Sequence, residues 1–418
     1  MEINAGDTAW VLAASALVLF MTPGLALFYG GMVRSKNVLG MLMQNFFAMG
    51  LIGIVWAVVG FSLTFGDGGG YIGNLDFAFM DGMVTTIGPD GTFENPLPGL
   101  GFLTIPPIIF FAFQMMFAII TPALITGATA DRLKFRSYAI VIGLWSVLVY
   151  SPIAHWVFSP EGWLFKRGAL DFAGGTAIHI NAGIAALVIV ALIGKRKGYP
   201  DHPMPPHSLP LTLLGTGILW FGWFGFNAGS AGAANSVAAH AFTNTGLAAS
   251  AAMLGWLVVE KIKDGHATTL GGASGAVAGL VAITPCAGYV GGMSPIYIGA
   301  IAGAVCYLAI SIKKALKLDD SLDVIAVHLV GGIVGSLLLG FFADTAINSA
   351  GFDGLFFDGG TDLLVDQFVA VGAAILYSGI VTLIIAKGVD LVSGLRVDEE
   401  AEDTGLDLSQ HAETAYSN

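Results

Sequence analysis

Residues 171–194 read DFAGGTAIHINAGIAALVIVALIG. Past Asp171 the run carries no Asp, Glu, Lys or Arg. About 20 apolar residues in a helix cover the roughly 30 Å of bilayer hydrocarbon, so the stretch from 172 to 194 is expected to span a membrane. Ten other runs of similar character flank it, at 8–31, 38–65, 102–129, 136–158, 210–232, 237–260, 267–285, 294–313, 324–345 and 364–394. None shows the two-residue alternation of a membrane barrel strand, which leaves the helix as the way to satisfy a backbone in lipid. The expected fold is an all-α polytopic membrane protein of eleven transmembrane helices.

Composition leads to the same place. Of 418 residues, 55% are hydrophobic and 11% charged, about half the charged share of a soluble domain. The 58 glycines lie mostly in apolar runs, where they mark close helix contacts. Fifteen of the 17 basic residues follow odd-numbered runs, among them Arg34, Lys36, Arg132, Lys195, Arg196, Lys261, Lys313 and Arg396, and only Lys166 and Arg167 lie on the other side. The excess of positive charge on cytoplasmic loops then puts the N-terminus outside the cell membrane and the C-terminus in the cytoplasm. The division expected is a membrane domain at 1–394 and a cytoplasmic tail at 395–418.

The net charge of −12 argues against a nucleic-acid partner. Cys286 and Cys306 are the two cysteines, both in or beside apolar runs, so neither a disulfide framework nor a cysteine metal site is indicated, and no cofactor is expected. Residues 1–8 lack the basic segment of a secretory signal, so the first run is read as a true span.

Five runs, five runs and a last helix imply two halves of opposite orientation, at about 8–194 and 210–345, with 364–394 outside them. One trace of this is visible: His179 is followed four and five residues later by Gly183 and Ile184, and His328 at the same spacing by Gly332 and Ile333. A two-fold axis in the membrane plane would bring these histidines together.

A histidine in a span is costly unless it faces a partner or a cavity. A packing role explains one such residue well; two in matched positions favour a functional pair. Asp171 either binds a cation directly or caps and braces the helix after it; bracing is preferred, because a carboxylate in the pathway would hold a cation too firmly for fast passage. Phe113, Phe117, Trp223 and Phe226 are aromatics of the third and sixth runs, where packing is the ordinary explanation. Phe158, near the outer end of the fourth run, offers a π face to a cation, and Ser230 an acceptor for its N–H groups. Gln114 and Thr284 are polar in apolar company, which interhelical hydrogen bonding explains.

With these residues in hand, the chain resembles the ammonium transporter family that includes Amt, MEP and Rhesus proteins, and its Amt branch in particular. DFAGGTAIHI at 171–180 carries the resemblance most specifically. FYGGMVRSKN at 28–37, FGWFGFNAGSAG at 221–232, GLVAITPCAGYV at 279–290, DDSLDVIAVH at 319–328 and GLDLSQH at 405–411 extend it over nearly the whole chain. The resemblance implies a homotrimer with one pore per subunit, and a transporter, not an enzyme. Phe158, Ser230 and Phe117 would recruit ammonium at the outer mouth, Phe117 and Phe226 would form a gate, and His179 and His328 would line the pore. Asp171 would be the essential support, with Trp223, Thr284, Phe113 and Gln114 shaping the pathway. The family usually has tryptophan where this chain has Phe158, and the following loop, SPEGWLFKRG, is one residue longer.

The mechanism implied is loss of a proton from ammonium at the mouth, passage of ammonia along the histidines, and a separate route for the proton. The rivals are an ammonium sensor of low conduction, a Rhesus-like gas channel, and a haem or metal site on the two histidines, the last lacking further ligands. A PII-type regulatory protein at the cytoplasmic face is a further partner the resemblance suggests.

Overall fold

No water is present in hydrocarbon to take up backbone N–H and C=O groups, so each apolar run closes its bonds internally. The computed structural model, which describes residues 2–84, 88 and 92–416, is accordingly almost all helix, with two isolated β-bridges and no strand among the described residues. The helices that follow the runs are α1 (Ala5–Met32), α2 (Ser35–Phe65), α3 (Pro107–Thr129), α4 (Phe135–Arg167), α5 (Gly175–Ile193), α6 (Leu209–Gly229), α7 (Ser236–Asp264), α8 (Thr269–Ile283), α9 (Ser294–Lys313), α10 (Ile325–Phe342) and α11 (Asp362–Ser393). Ten of these are long and apolar enough to cross a membrane. The run at 267–285 differs from expectation: α8 has 15 residues, about 22 Å of rise. Thr268 caps its start through Gly271 N–H, and Pro285, which has no N–H to give, follows its end.

Glycine sets how closely the helices approach. A Cβ at Gly24 of α1 would meet Ile218 of α6 at 2.6 Å, and one at Gly225 of α6 would meet Leu17 of α1 at 2.6 Å, so the two helices pack nearly backbone to backbone. α5 and α10 meet in a reciprocal way. A Cβ at Gly183 would strike Leu329, the residue after His328, and a Cβ at Gly332 would strike Ile180, the residue after His179. Residue i touching j′ while j touches i′ is the mark of a two-fold axis. The matched His-to-Gly spacing is the linear trace of that contact.

At the end of the bundle where most basic residues gather, the charges are paired under cover. Arg196, 9% exposed, donates to Asp319 at 2.8 Å and lies 3.5 Å from Asp131, which also receives Arg34 at 2.9 Å. Burial opposes both charges of the Arg196–Asp319 pair, but their hydrogen bonds and the attraction of neighbouring opposite charges together outweigh it, lifting the guanidinium above and holding the carboxyl below its ordinary value. Arg196→Ala leaves Asp319 buried and unpaired, a loss of about 3–5 kcal/mol. A clearly lowered melting temperature in detergent is the expected result; a melt matching the parent would remove this pair from the account of stability.

The chain after α11 returns across the same end as two short helices, α12 (Glu399–Thr404) and α13 (Leu406–His411). Glu402 accepts from Lys197 N–H and from Arg396, each at 2.7 Å. Leu406 N–H donates to Asn37, and Gly40 N–H donates to Asp407, both at 2.8 Å. At the opposite end, residues 64–71 fold down onto α4: the ring nitrogens of His155 lie 2.7 Å from Thr64 O and 2.6 Å from Gly69 O, and Trp156 donates to Tyr71 O at 2.8 Å.

Candidate functional site

The site begins where α5 starts. Four consecutive backbone N–H groups at a helix N-terminus need acceptors. Asp171 supplies them all: Oδ1 accepts from Gly174 at 2.9 Å and Gly175 at 2.6 Å, Oδ2 from Thr176 at 2.9 Å and Ala177 at 3.0 Å. Gly174, in the left-handed region at φ 112°, turns the chain so that these groups converge. A carboxylate holding four such bonds has little left with which to coordinate a cation, and its geometry is that of a brace.

Asp320 is the counterpart that the sequence reading missed. It stands eight residues before His328, as Asp171 stands eight before His179. It accepts from Val324 N–H at 3.2 Å and Ile325 N–H at 2.8 Å. The offset was present in DDSLDVIAVH, but the doubled acid disguised it.

Each aspartate leads into a π-helical turn, Gly175–Ile180 and Ile325–Val330, and each turn carries one of the histidines. Such wide turns insert an extra residue and recur at functional positions. They bring Nδ1 of His179 to 3.3 Å from Nδ1 of His328, with the rings nearly parallel at 21° and 5.3 Å between centroids. One nitrogen donates and the other accepts, so the two rings share one proton between them and hold opposite tautomers. Nε2 of His179 is buried and has no hydrogen-bond partner among the described residues. Both rings line a cavity of about 10 Å³ with Leu25, Ile120, Trp223 and Phe226, the space of a single water-sized molecule.

Above that cavity Phe117 and Phe226 close on each other at 4.3 Å between ring centroids, tilted by 31°, each 1% exposed. Phe113 packs on Phe117 at 4.8 Å. Trp223 lies against His179 at 5.5 Å and is fixed by its Nε1–H, which donates to Thr284 at 2.9 Å; Thr284 in turn donates to Leu280 O. Beyond the phenylalanine pair opens a vestibule of about 400 Å³ whose lining includes Phe113, Gln114, Phe117, Phe158, Asp171 and Ser230. Ser230 gives its hydroxyl proton to Phe226 O at 2.9 Å and keeps its lone pairs for a donor. The structure thus brings Phe113, Gln114, Phe117, Phe158, Asp171 and Ser230 together at the vestibule, and His179, His328, Trp223 and Phe226 at the small cavity, with Thr284 holding Trp223.

The residues 9–416 match the model of the Ammonium Transporter Family. An ammonium transporter of Mycobacterium tuberculosis is 50% identical over 99% of this chain and 90% of its own length. The ammonium transporter Amt1 of Archaeoglobus fulgidus is 46% identical over 99% of this chain and 100% of its own. Among solved structures, Mep2 of Saccharomyces cerevisiae superposes with a TM-score of 0.87 at 35% identity, covering 96% of this chain and 89% of that one.

Proposed function

The chain belongs to the ammonium transporter family, and on that premise we propose that it takes up ammonium at the vestibule, strips it of a proton and conducts ammonia past the two histidines. The observation that carries this reading is the cavity at the imidazole pair. It is lined by hydrocarbon, aromatic rings and two imidazoles, with no carboxylate, and has room for one molecule the size of water. Ammonia fits that space and finds a hydrogen-bond partner in His179 Nε2. An ammonium or potassium ion finds no ligands there to repay its lost hydration, so charge is rejected and the neutral form passes. The proton travels separately, and the shared proton of the histidines gives it a route.

The vestibule supports the recruiting step. Phe158 presents a ring and Ser230 a free acceptor in one concavity above Phe117. Tryptophan is the better cation–π partner, so Phe158→Trp is expected to lower the half-saturating ammonium concentration by about two- to fivefold. Concentration dependence of the current in proteoliposomes checks this, and an unchanged value would take Phe158 out of the recruiting site.

The bundle end that holds Arg196 and the returning tail is assigned to the cytoplasm of the cell membrane, which puts the vestibule outside. Assembly as a homotrimer is what the family resemblance implies, and the outer face of α6 and α7, an open groove lined by Trp220, Phe221, Phe224, Phe242 and Leu247 with Gly217 and Gly246, offers a surface for a neighbouring subunit. A PII-type signal protein at the cytoplasmic face is the partner that the family resemblance suggests.

Currents in proteoliposomes with ammonium, methylammonium and potassium, compared side by side, test the whole reading. Ammonium and methylammonium are expected to be carried while potassium stays at background. Equal currents for potassium and ammonium would overturn the selectivity argument.

A further inference from the structure

We propose that Asp7 is a positioning residue for the outer ammonium site, its carboxylate tying together two of the segments that wall the vestibule beside Ser230. The inference rests on the transport reading above. Asp7 lies in the first turn of α1, where Asn4 caps the helix through Asp7 N–H. Its Oδ1 accepts from Ala234 N–H at 2.8 Å, and its Oδ2 accepts from the Thr104 hydroxyl at 2.5 Å. Leu103 and Ile105, either side of Thr104, line the vestibule, as do Gly232 and Asn235, either side of the other contact.

Ser230 itself is held from α6, its N–H donating to Asn227 O at 3.1 Å and its hydroxyl to Phe226 O at 2.9 Å, whereas the vestibule wall that follows it depends on more distant contacts. α6 ends at Gly229, Asn235 caps α7, and the linker between them makes one tight turn with Gly232 at φ 65°. Trp10, three residues after Asp7 on α1, holds the near end of the linker by donating to Ala228 O at 3.2 Å. Asp7 holds the far end. A side chain at Gly232 would meet Leu103 at 3.1 Å, so the linker and the segment around Thr104 are already in close approach and the carboxylate fixes their separation. Without it, the linker is pinned at one end only and the vestibule wall formed by Gly232 and Asn235, beside Ser230, no longer has a set place. Asp7 touches no transported molecule; it acts through the placement of the vestibule walls on either side of Ser230.

Asn is the informative replacement. Its Oδ1 accepts from Ala234 N–H and its amide donates to the Thr104 hydroxyl, so Asp7→Asn removes the charge and keeps the tie. Asp7→Ala removes both. In proteoliposomes, Asp7→Ala is expected to raise the half-saturating ammonium concentration about fivefold, the worth of one or two lost hydrogen bonds, with maximal current and melting temperature as in the parent. Asp7→Asn is expected to stay within about twofold of the parent. Amide hydrogen exchange of residues 230–235, read on the same variants without transport, is expected to quicken in Asp7→Ala alone.

Unchanged half-saturation and unchanged exchange in Asp7→Ala would overturn the proposal. So would an Asp7→Asn variant as impaired as Asp7→Ala, which would make the effect one of charge, or a loss confined to maximal current with a lowered melt. A parent protein that carries no ammonium current would instead sink the transport reading, and the exchange measurement would still decide whether Asp7 orders the linker.

Discussion

Asp171→Ala is expected to yield little folded protein and no ammonium current. The substitution strands four buried backbone N–H groups at the start of α5. Each orphaned donor costs about 1–3 kcal/mol, and the sum is comparable with the entire stability of a typical domain, about 5–15 kcal/mol. Asp171→Asn separates bracing from charge. Its single acceptor oxygen still serves two of the four N–H groups, while its amide faces the other two as a donor facing donors. A folded protein of lower melting temperature and reduced current is the expected result. Size-exclusion behaviour and thermal melts in detergent, read beside proteoliposome currents, check both. An alanine variant that melts and conducts like the parent would show that the α5 terminus finds other acceptors.

The second large effect is expected at the histidine pair. His328→Ala removes the partner of His179 Nδ1 and replaces a ring in the lining with open space. A larger cavity lined by an unpaired imidazole admits water and offers a cation a wetter path. The preference for ammonium over potassium is expected to fall by about tenfold or more, corresponding to about 1.4 kcal/mol on the difference between their barriers, as potassium begins to pass. His179→Ala removes more, because His179 also stacks on Trp223 at 5.5 Å and Phe226 at 6.2 Å, and a deeper loss is expected. Unchanged ammonium current and selectivity in both variants would remove the histidines from the pathway.

How much of this could be read from the chain differs with the range of the interaction. Apolar run lengths gave the helices, since satisfaction of the backbone in lipid depends on local sequence alone. The exception is the run at 267–285, where the count of apolar residues passed over Pro285. The His179–His328 pair was legible because symmetry copies a local spacing into two places. Asp320 obeys the same symmetry and was passed over, because two adjacent acids leave open which one carries the offset; in the structure Asp319 pairs with Arg196 and Asp320 braces α10. Asp7 left no signal at all. Its contacts lie 97 and 227 residues away, and nothing in GDTAW distinguishes a clamp from an ordinary acidic first turn.

The seam between the tail and the first loop has a bearing on the order of folding. Leu406 and Asp407 bond to Asn37 and Gly40 across separations of 369 and 367 residues. No shorter route exists to those bonds: they cannot form until translation has passed residue 407, long after α1 and α2 have entered the bilayer. Closing so long a loop from an unfolded chain would carry a heavy entropic penalty, which the finished bundle removes by holding residues 37–40 in place beforehand. The seam therefore closes late, against a surface that α2 and the turn before it have already set.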